Sequence, residues 1–252
     1  MNDKTRNILR IAGLATAIGL TLLYGLAVAW YCTPVMREVT CDSLHIVMRD
    51  GKELHFITEN DVHDFITSQH IHVIGMTMNI ESMHRIEACI EEMNMVKRAE
   101  CWFDNEGCLI INIWQRTPVF RVIGSQHSYY VDSQRTRMPF SRNYTAYLPV
   151  VSGQLEESFA VNELYDFIVY LQGNSFWKNH VGQIAVKNNN ELVLGTKSGV
   201  SRIEFGSLDH YEEKLRHLQA WYEQYPDKAF SDEYASVNVK YKGLIYCKRT
   251  EK

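Results

Sequence analysis

No enzyme signature can be read in this chain of 252 residues. G-x-S-x-G, G-x-G-x-x-G and H-E-x-x-H are all missing, and nothing places a nucleophile beside a base. The stretch Gly195-Thr196-Lys197-Ser198-Gly199 is only faintly like a phosphate loop. It lacks the Gly before Lys and the upstream Gly, and it reads as a turn between strands. Metal-ligand spacing is missing too. Of ten histidines, His70 and His72 share a loop and His210 and His217 a helix face, but neither pair has further ligands at a recognisable spacing. They read as solvated surface residues, and the pairs Glu91-Glu92, Glu156-Glu157 and Glu212-Glu213 as wet helix faces. The six cysteines (Cys32, Cys41, Cys89, Cys101, Cys108, Cys247) form no C-x-x-C and no disulfide framework. Most read as small buried apolar residues. Charge is weakly acidic, 26 Lys and Arg against 30 Asp and Glu, with no concentrated basic stretch. That argues against nucleic acid as a partner. The expectation is a chain with no catalytic residue, no cofactor and no metal.

What is present is one long uncharged apolar run, Ile11 to Thr33, with nearly all of the remaining chain on one side of it. As a helix its 23 residues span about 34 Å, enough for a hydrocarbon core of about 30 Å. Lys4, Arg6 and Arg10 precede it, opposed only by Asp3. Positive flanks stay in the cytoplasm, so the bulk of the chain is expected outside. Trp30 and Tyr31 fall where aromatic rings prefer the outer interface. Ala27-Val28-Ala29 resembles a signal-peptide cleavage site, but the preceding apolar stretch is longer than such peptides carry. The expectation is a retained anchor.

Residues 39–117 alternate as β-α-α-β-β. Val39 to Met48 reads as a strand, and Asp50-Gly51 as a turn before a second one, Glu53 to Ile57. Thr58 caps a helix over Glu59 to Thr67 with Asp61 at its third position. Asn79 caps another, whose apolar stripe is Ile80, Met83, Ile86, Ile90 and Met93, with Glu87 facing out. In the hairpin that follows, a loop Asn105-Glu106-Gly107 sets Asp104 opposite Cys108. Ala99, Cys101 and Phe103 then share an apolar face with Leu109, Ile111 and Ile113. Glu100, Trp102, Asp104, Asn112 and Trp114 take the other, and Cys101 and Cys108 lie on opposite faces.

A β-rich unit begins at Pro118. Strands are expected over Val119 to Ile123, Ser128 to Val131, Tyr147 to Val151, Val181 to Lys187, Glu191 to Thr196 and Val200 to Phe205. Helices are expected over Val161 to Leu171 and Leu208 to Tyr225, the second with a buried stripe of Leu215, Leu218 and Tyr222. The closing segment, Ser236 to Lys248, reads as a strand in which Val237, Val239 and Tyr241 alternate with polar residues until Gly243 interrupts. Residues alone leave two readings equal: an interior strand, or an open edge that accepts another chain's strand.

Four collinear stretches resemble the bacterial cell-division family FtsQ/DivIB. Met95 to Cys101 is similar to that family's entry into its POTRA hairpin, and Leu109 to Val119 (LIINIWQRTPV) resembles the exit, with Gln115 where Glu is usual. Tyr130-Val131-Asp132 followed by Leu148-Pro149-Val150-Val151-Ser152-Gly153 looks like the opening of its β domain. Val237-Asn238-Val239-Lys240-Tyr241 with Gly243 is similar to its closing strand, Asn238 replacing Asp. The resemblance implies an α+β chain: a cytoplasmic tail (1–10), a transmembrane helix (11–33), a POTRA-like domain (36–117) and a β domain with flanking helices (118–249). It implies a non-catalytic scaffold in the inner membrane at the division septum, with its bulk in the periplasm. Its β domain would take a strand from an FtsB/FtsL-like pair, its POTRA domain would meet other division proteins, and the assembly would regulate septal peptidoglycan synthesis. The implied contact residues are Tyr241, Gly243, Leu244, Ile245 and Tyr246. Two other classes stand beside it: an envelope factor guiding client proteins through POTRA domains, and an anchored envelope enzyme.

Overall fold

A computed structural model describes residues 3–32, 39–104, 106–124, 127–231 and 233–250. The apolar run forms helix α1 (Asp3–Cys32). Within it Ala12–Trp30 is long and apolar enough to cross a membrane, and none of that stretch is buried against protein. Two hydroxyls within it bond backbone internally: Thr16 and Thr21 donate to Ala12 O and Ala17 O one turn back, an arrangement that suits a lipid environment. Thr33, the expected end of the span, lies outside the described residues, as does Asn105 of the hairpin loop.

The first folded unit comprises β1 (Val39–Thr40), β2 (Ser43–Met48), α2 (Glu59–Ser68), β3 (Thr77–Met78), α3 (Ile80–Glu91), β4 (Val96–Phe103) and β5 (Cys108–Gln115). Both helices start where their caps predict. Thr58 and Asp61 form a reciprocal capping box on α2, and Asn79 accepts from Ser82 N on α3. The sheet runs β2-β5-β4, with β4 and β5 antiparallel in the expected register: Phe103 opposite Leu109, Cys101 opposite Ile111, Ala99 opposite Ile113. Gly107 supplies the positive φ of +82° at the turn. Ile86 and Ile90 press onto Ala99, Leu109, Ile111 and Ile113 as the core.

Several expectations are corrected here. The expected first strand is two: β1 pairs with β3, while β2 pairs in parallel with β5. Glu53 to Ile57 forms no strand, because one side chain occupies its backbone groups. Gln115 Oε1 accepts from Phe56 N (2.9 Å) and Ile57 N (3.1 Å), and Gln115 Nε2 donates to Leu54 O (2.9 Å). Glu91 and Glu92 are exposed as expected, whereas Glu87 is half-buried, and Glu87 and Glu91 both bond backbone. They accept from Cys101 N (2.6 Å) and Ala99 N (3.0 Å), so two carboxylates one helical turn apart seal the outer edge of β4. Asn112, expected on a polar face, is buried.

The second unit continues with β6 (Pro118–Ile123), β7 (Ser128–Asp132), β8 (Arg137–Met138), β9 (Val150–Gly153), α4 (Glu157–Val161), α5 (Glu163–Gly173), α6 (Ser175–His180) and β10 (Val181–Val186). Then come β11 (Leu192–Thr196), β12 (Arg202–Gly206), α7 (Tyr211–Gln224), α8 (Pro226–Ala229), β13 (Tyr234–Asn238) and β14 (Tyr246–Arg249). One mixed sheet holds them in the order β14-β13-β12-β11-β10-β9-β6-β7-β8. Alternate residues of its strands (Phe120, Val122, Ile184, Leu194, Ile203, Phe205, Val237) meet Phe167, Ile168, Trp177, Leu215, Leu218 and Tyr222 of the helices in a dry core. The α7 stripe is therefore the expected one. The expected helix at Val161 to Leu171 is α5, shifted two residues along the chain, and two short unexpected helices, α4 and α6, flank it. Asn162 is non-helical (φ −109°, ψ −95°) between α4 and α5, and Asn174 breaks the chain again and caps α6. The strand expected from Tyr147 starts only at Val150.

The two units are joined by more than the chain. Residues 139–149 cross back to the first: Ser141 Oγ donates to Phe56 O (2.5 Å) and Asn143 Nδ2 to Asp61 Oδ2 (2.9 Å). Tyr144 packs edge-on against Phe56 with ring centres 5.0 Å apart. Phe56, Tyr130 and Met138 form a small core of their own there. Beside it, Arg116 Nη1 donates to the buried Asp132 at 2.9 Å, whose other oxygen accepts from Gln134 N and Thr136 N.

Candidate functional site

The closing segment folds differently from expectation. It is two antiparallel strands, β13 and β14, with Val237 opposite Cys247 and Asn238 opposite Tyr246. Alternation continues past Asn238 because Val239 stays buried in the core while its N–H donates to Glu204 O at 3.0 Å. The chain then reverses: Leu244 N donates to Tyr241 O (3.2 Å), and Gly243 sits at φ +73°. An added Cβ at Gly243 would meet nothing within 4 Å, so conformation, not space, favours glycine.

β14 ends the sheet, and among the described strands nothing pairs with its outer side. Thr250 N donates to Glu233 O at 2.9 Å. In an antiparallel ladder successive residues alternate in the direction of their backbone groups. Tyr246 and Lys248 therefore turn theirs to β13, and Cys247 and Arg249 turn theirs to the open edge. The Cys247 side chain packs on the core, and burial pushes its thiol pKa up.

Beside this edge lies a groove of about 470 Å³, between α7 and residues 239–245. Lys214, His217 and Trp221 line one wall; Tyr241, Gly243, Leu244 and Ile245 line the other. Its charges are ordered. Lys214 Nζ is tied to Ser207 O (2.8 Å), and burial lowers its pKa against the pull of Asp209. Lys242 reaches Glu213 (3.6 Å), and Lys240 reaches Glu191 (2.6 Å), a bond that raises the lysine's pKa. Arg249 pairs with Glu233 at 3.3 Å. Such exposed pairs stabilise the fold by about 1 kcal/mol or less; their effect is to set the polarity of the rim.

All five residues singled out from the sequence fall in this hairpin. Tyr241 and Tyr246 are exposed and pack edge-on, ring centres 6.3 Å apart. Leu244 is exposed, Ile245 half-buried against the core. The edge strand itself starts at Tyr246, so Leu244 and Ile245 lead into it. Sequence reasoning missed Cys247 and Arg249, and with them Trp221 across the groove. After Gly243 the run Leu244-Ile245-Tyr246-Cys247 followed by Lys248-Arg249 does not alternate, so the sequence carried no clear signal for these positions.

Comparison with known proteins agrees with this architecture. The family model described as FtsQ/DivIB, C-terminal related, matches residues 117–248, more than half of the chain. The chain belongs to the FtsQ/DivIB family. A POTRA-like domain matches residues 39–114, and both the expected family and the expected fold class are borne out. Among solved structures, POTRA1-2 of the periplasmic domain of Omp85 from Anabaena is 11% identical, covering 66% of this chain and 99% of that one, with a TM-score of 0.30. POTRA1-3 of the same domain is 12% identical, covering 67% and 64%, also at 0.30. No curated protein matches. Family and POTRA domain are both of scaffold type, and protein–protein interaction is the general role they support.

Proposed function

We propose that this chain is a non-catalytic scaffold of the bacterial division machinery. Its α1 crosses the inner membrane once, with the N-terminus in the cytoplasm and the folded units in the periplasm. β14 receives a strand from an FtsB/FtsL-like pair, and Tyr241, Gly243, Leu244, Ile245 and Tyr246 frame the groove that takes the partner's side chains. The POTRA-like domain meets other division proteins, and the assembly regulates septal peptidoglycan synthesis. One observation carries this reading: the last strand of the family-matched sheet has backbone groups turned to an edge that no described strand covers. The test is live-cell imaging with a fluorescent tag on the N-terminus. A mid-cell band that appears with the septum is the expected result. Uniform membrane signal through septation would overturn the division reading.

A further inference from the structure

Between Asp64 and Glu81 the chain carries no Asp, Glu, Lys or Arg. The second half of this stretch divides its apolar residues between two destinations. Val73 and Met78 are buried in the core of the first unit. Ile74, Met76 and Ile80 face out, at 63%, 51% and 41% exposure. Gly75 makes the tip at φ +79°, with open space where a Cβ would stand.

This tip is fastened to the part of the fold nearest α1 along the chain. Gly75 N donates to Cys41 O at 2.7 Å, and Cys41 N donates to Met76 O at 3.0 Å. Val39 pairs with Met78 and Thr40 with Thr77. From Cys32, the end of α1, to Val39 is seven Cα steps, so an extended chain holds β1 within about 25 Å of that end. An apolar, uncharged tip is therefore tethered close to the point where α1 leaves the bilayer. Apolar side chains in a stretch whose first charge is Glu81, beside Ile80, suit the boundary between headgroups and acyl chains.

We infer that Ile74, Met76 and Ile80 dock on the lipid surface around α1 and set the first unit against the membrane. The occupant is the bilayer itself, and the inference rests on α1 spanning it. Because the contact is apolar, it depends on the acyl boundary and not on anionic headgroups.

The test uses the full chain with carbon-13 methyl methionine, reconstituted in bilayers of phosphatidylethanolamine and phosphatidylglycerol, and again in phosphatidylcholine alone. Integration is read first. A chain released by alkaline carbonate overturns both the spanning reading and the docking. In a retained chain, a lipid spin-labelled near the top of its acyl chain should broaden the Met76 methyl signal about tenfold more than that of Met138, which is buried in the small core shared by the two units, in both lipids. Assignment uses Met76→Leu. Equal broadening at Met76 and Met138 overturns the docking and leaves the spanning reading intact. An effect confined to the anionic bilayer overturns the apolar contact in favour of headgroup attraction.

Discussion

Gln115 shows how much one side chain can decide. It accepts from two backbone N–H groups of the segment before α2, donates to Leu54 O, and donates to Asp50 Oδ1 at 3.0 Å. Gln115→Leu strands those donors in a buried site and should cost about 3 kcal/mol in urea unfolding. Gln115→Glu keeps the acceptor but sets a carboxylate against Asp50, so it should also destabilise, and less so as pH falls and one carboxylate is protonated. From sequence this position was visible only as a departure from the Glu usual in the family. Its partners lie some 60 residues away, beyond any periodicity. Gly153, in contrast, ends a stretch legible as a motif, and the structure supplies the reason. At φ +110°, a Cβ there would sit 2.0 Å from Val186 O across the β9–β10 pairing. Gly153→Ala should lower stability by about 3 kcal/mol or more, or prevent folding.

His180 contradicts the surface reading given to the histidines. It is buried against Phe176, Tyr222 and Phe230, with no partner for Nε2 among the described residues. Burial lowers its pKa, so the fold favours neutral imidazole. The unfolded chain takes up a proton as pH falls through about 6.5, while the folded chain does so only at lower pH. The stability is therefore full above about pH 6.5 and is lost as pH falls from there towards the depressed value. His180→Phe should remove this dependence between about pH 6.5 and pH 5, above the range where most carboxylates titrate. Thermal melts of both proteins across that range check it; parallel curves would contradict it.

Elements were legible where local chemistry dictates them. Side-chain faces set the β4–β5 register, and the caps and apolar spacing located α2, α3 and α7. The closing segment was not legible in full, since Val239 keeps a core position outside any strand and carries the alternating pattern past the true strand end. Reading through it merged β13 and β14. The split makes the edge claim sharper. Cys247→Pro removes a donor directed outward, and should weaken partner binding about tenfold or more while the sheet stays folded. Lys248→Pro removes one directed to β13, and should lower stability by about 1–3 kcal/mol. Equal effects of the two on partner binding in folded protein would show that backbone direction is not what the partner reads.

At the scale of the whole molecule, two units share a small core and a set of crossing hydrogen bonds, and a single apolar helix precedes them. One edge of the first unit's sheet is sealed by Glu87 and Glu91, whereas β14 ends the large sheet with no described strand on its outer side. That contrast is the basis for placing partner capture at the C-terminal hairpin. The most direct measurement is amide hydrogen exchange on the full chain in bilayers, alone and with an FtsB/FtsL-like pair bound. Strand addition predicts that the Cys247 and Arg249 amides slow by about 100-fold or more, while the Lys248 amide, already bonded to β13, changes far less. Unchanged exchange at Cys247 and Arg249 with the pair bound would contradict it.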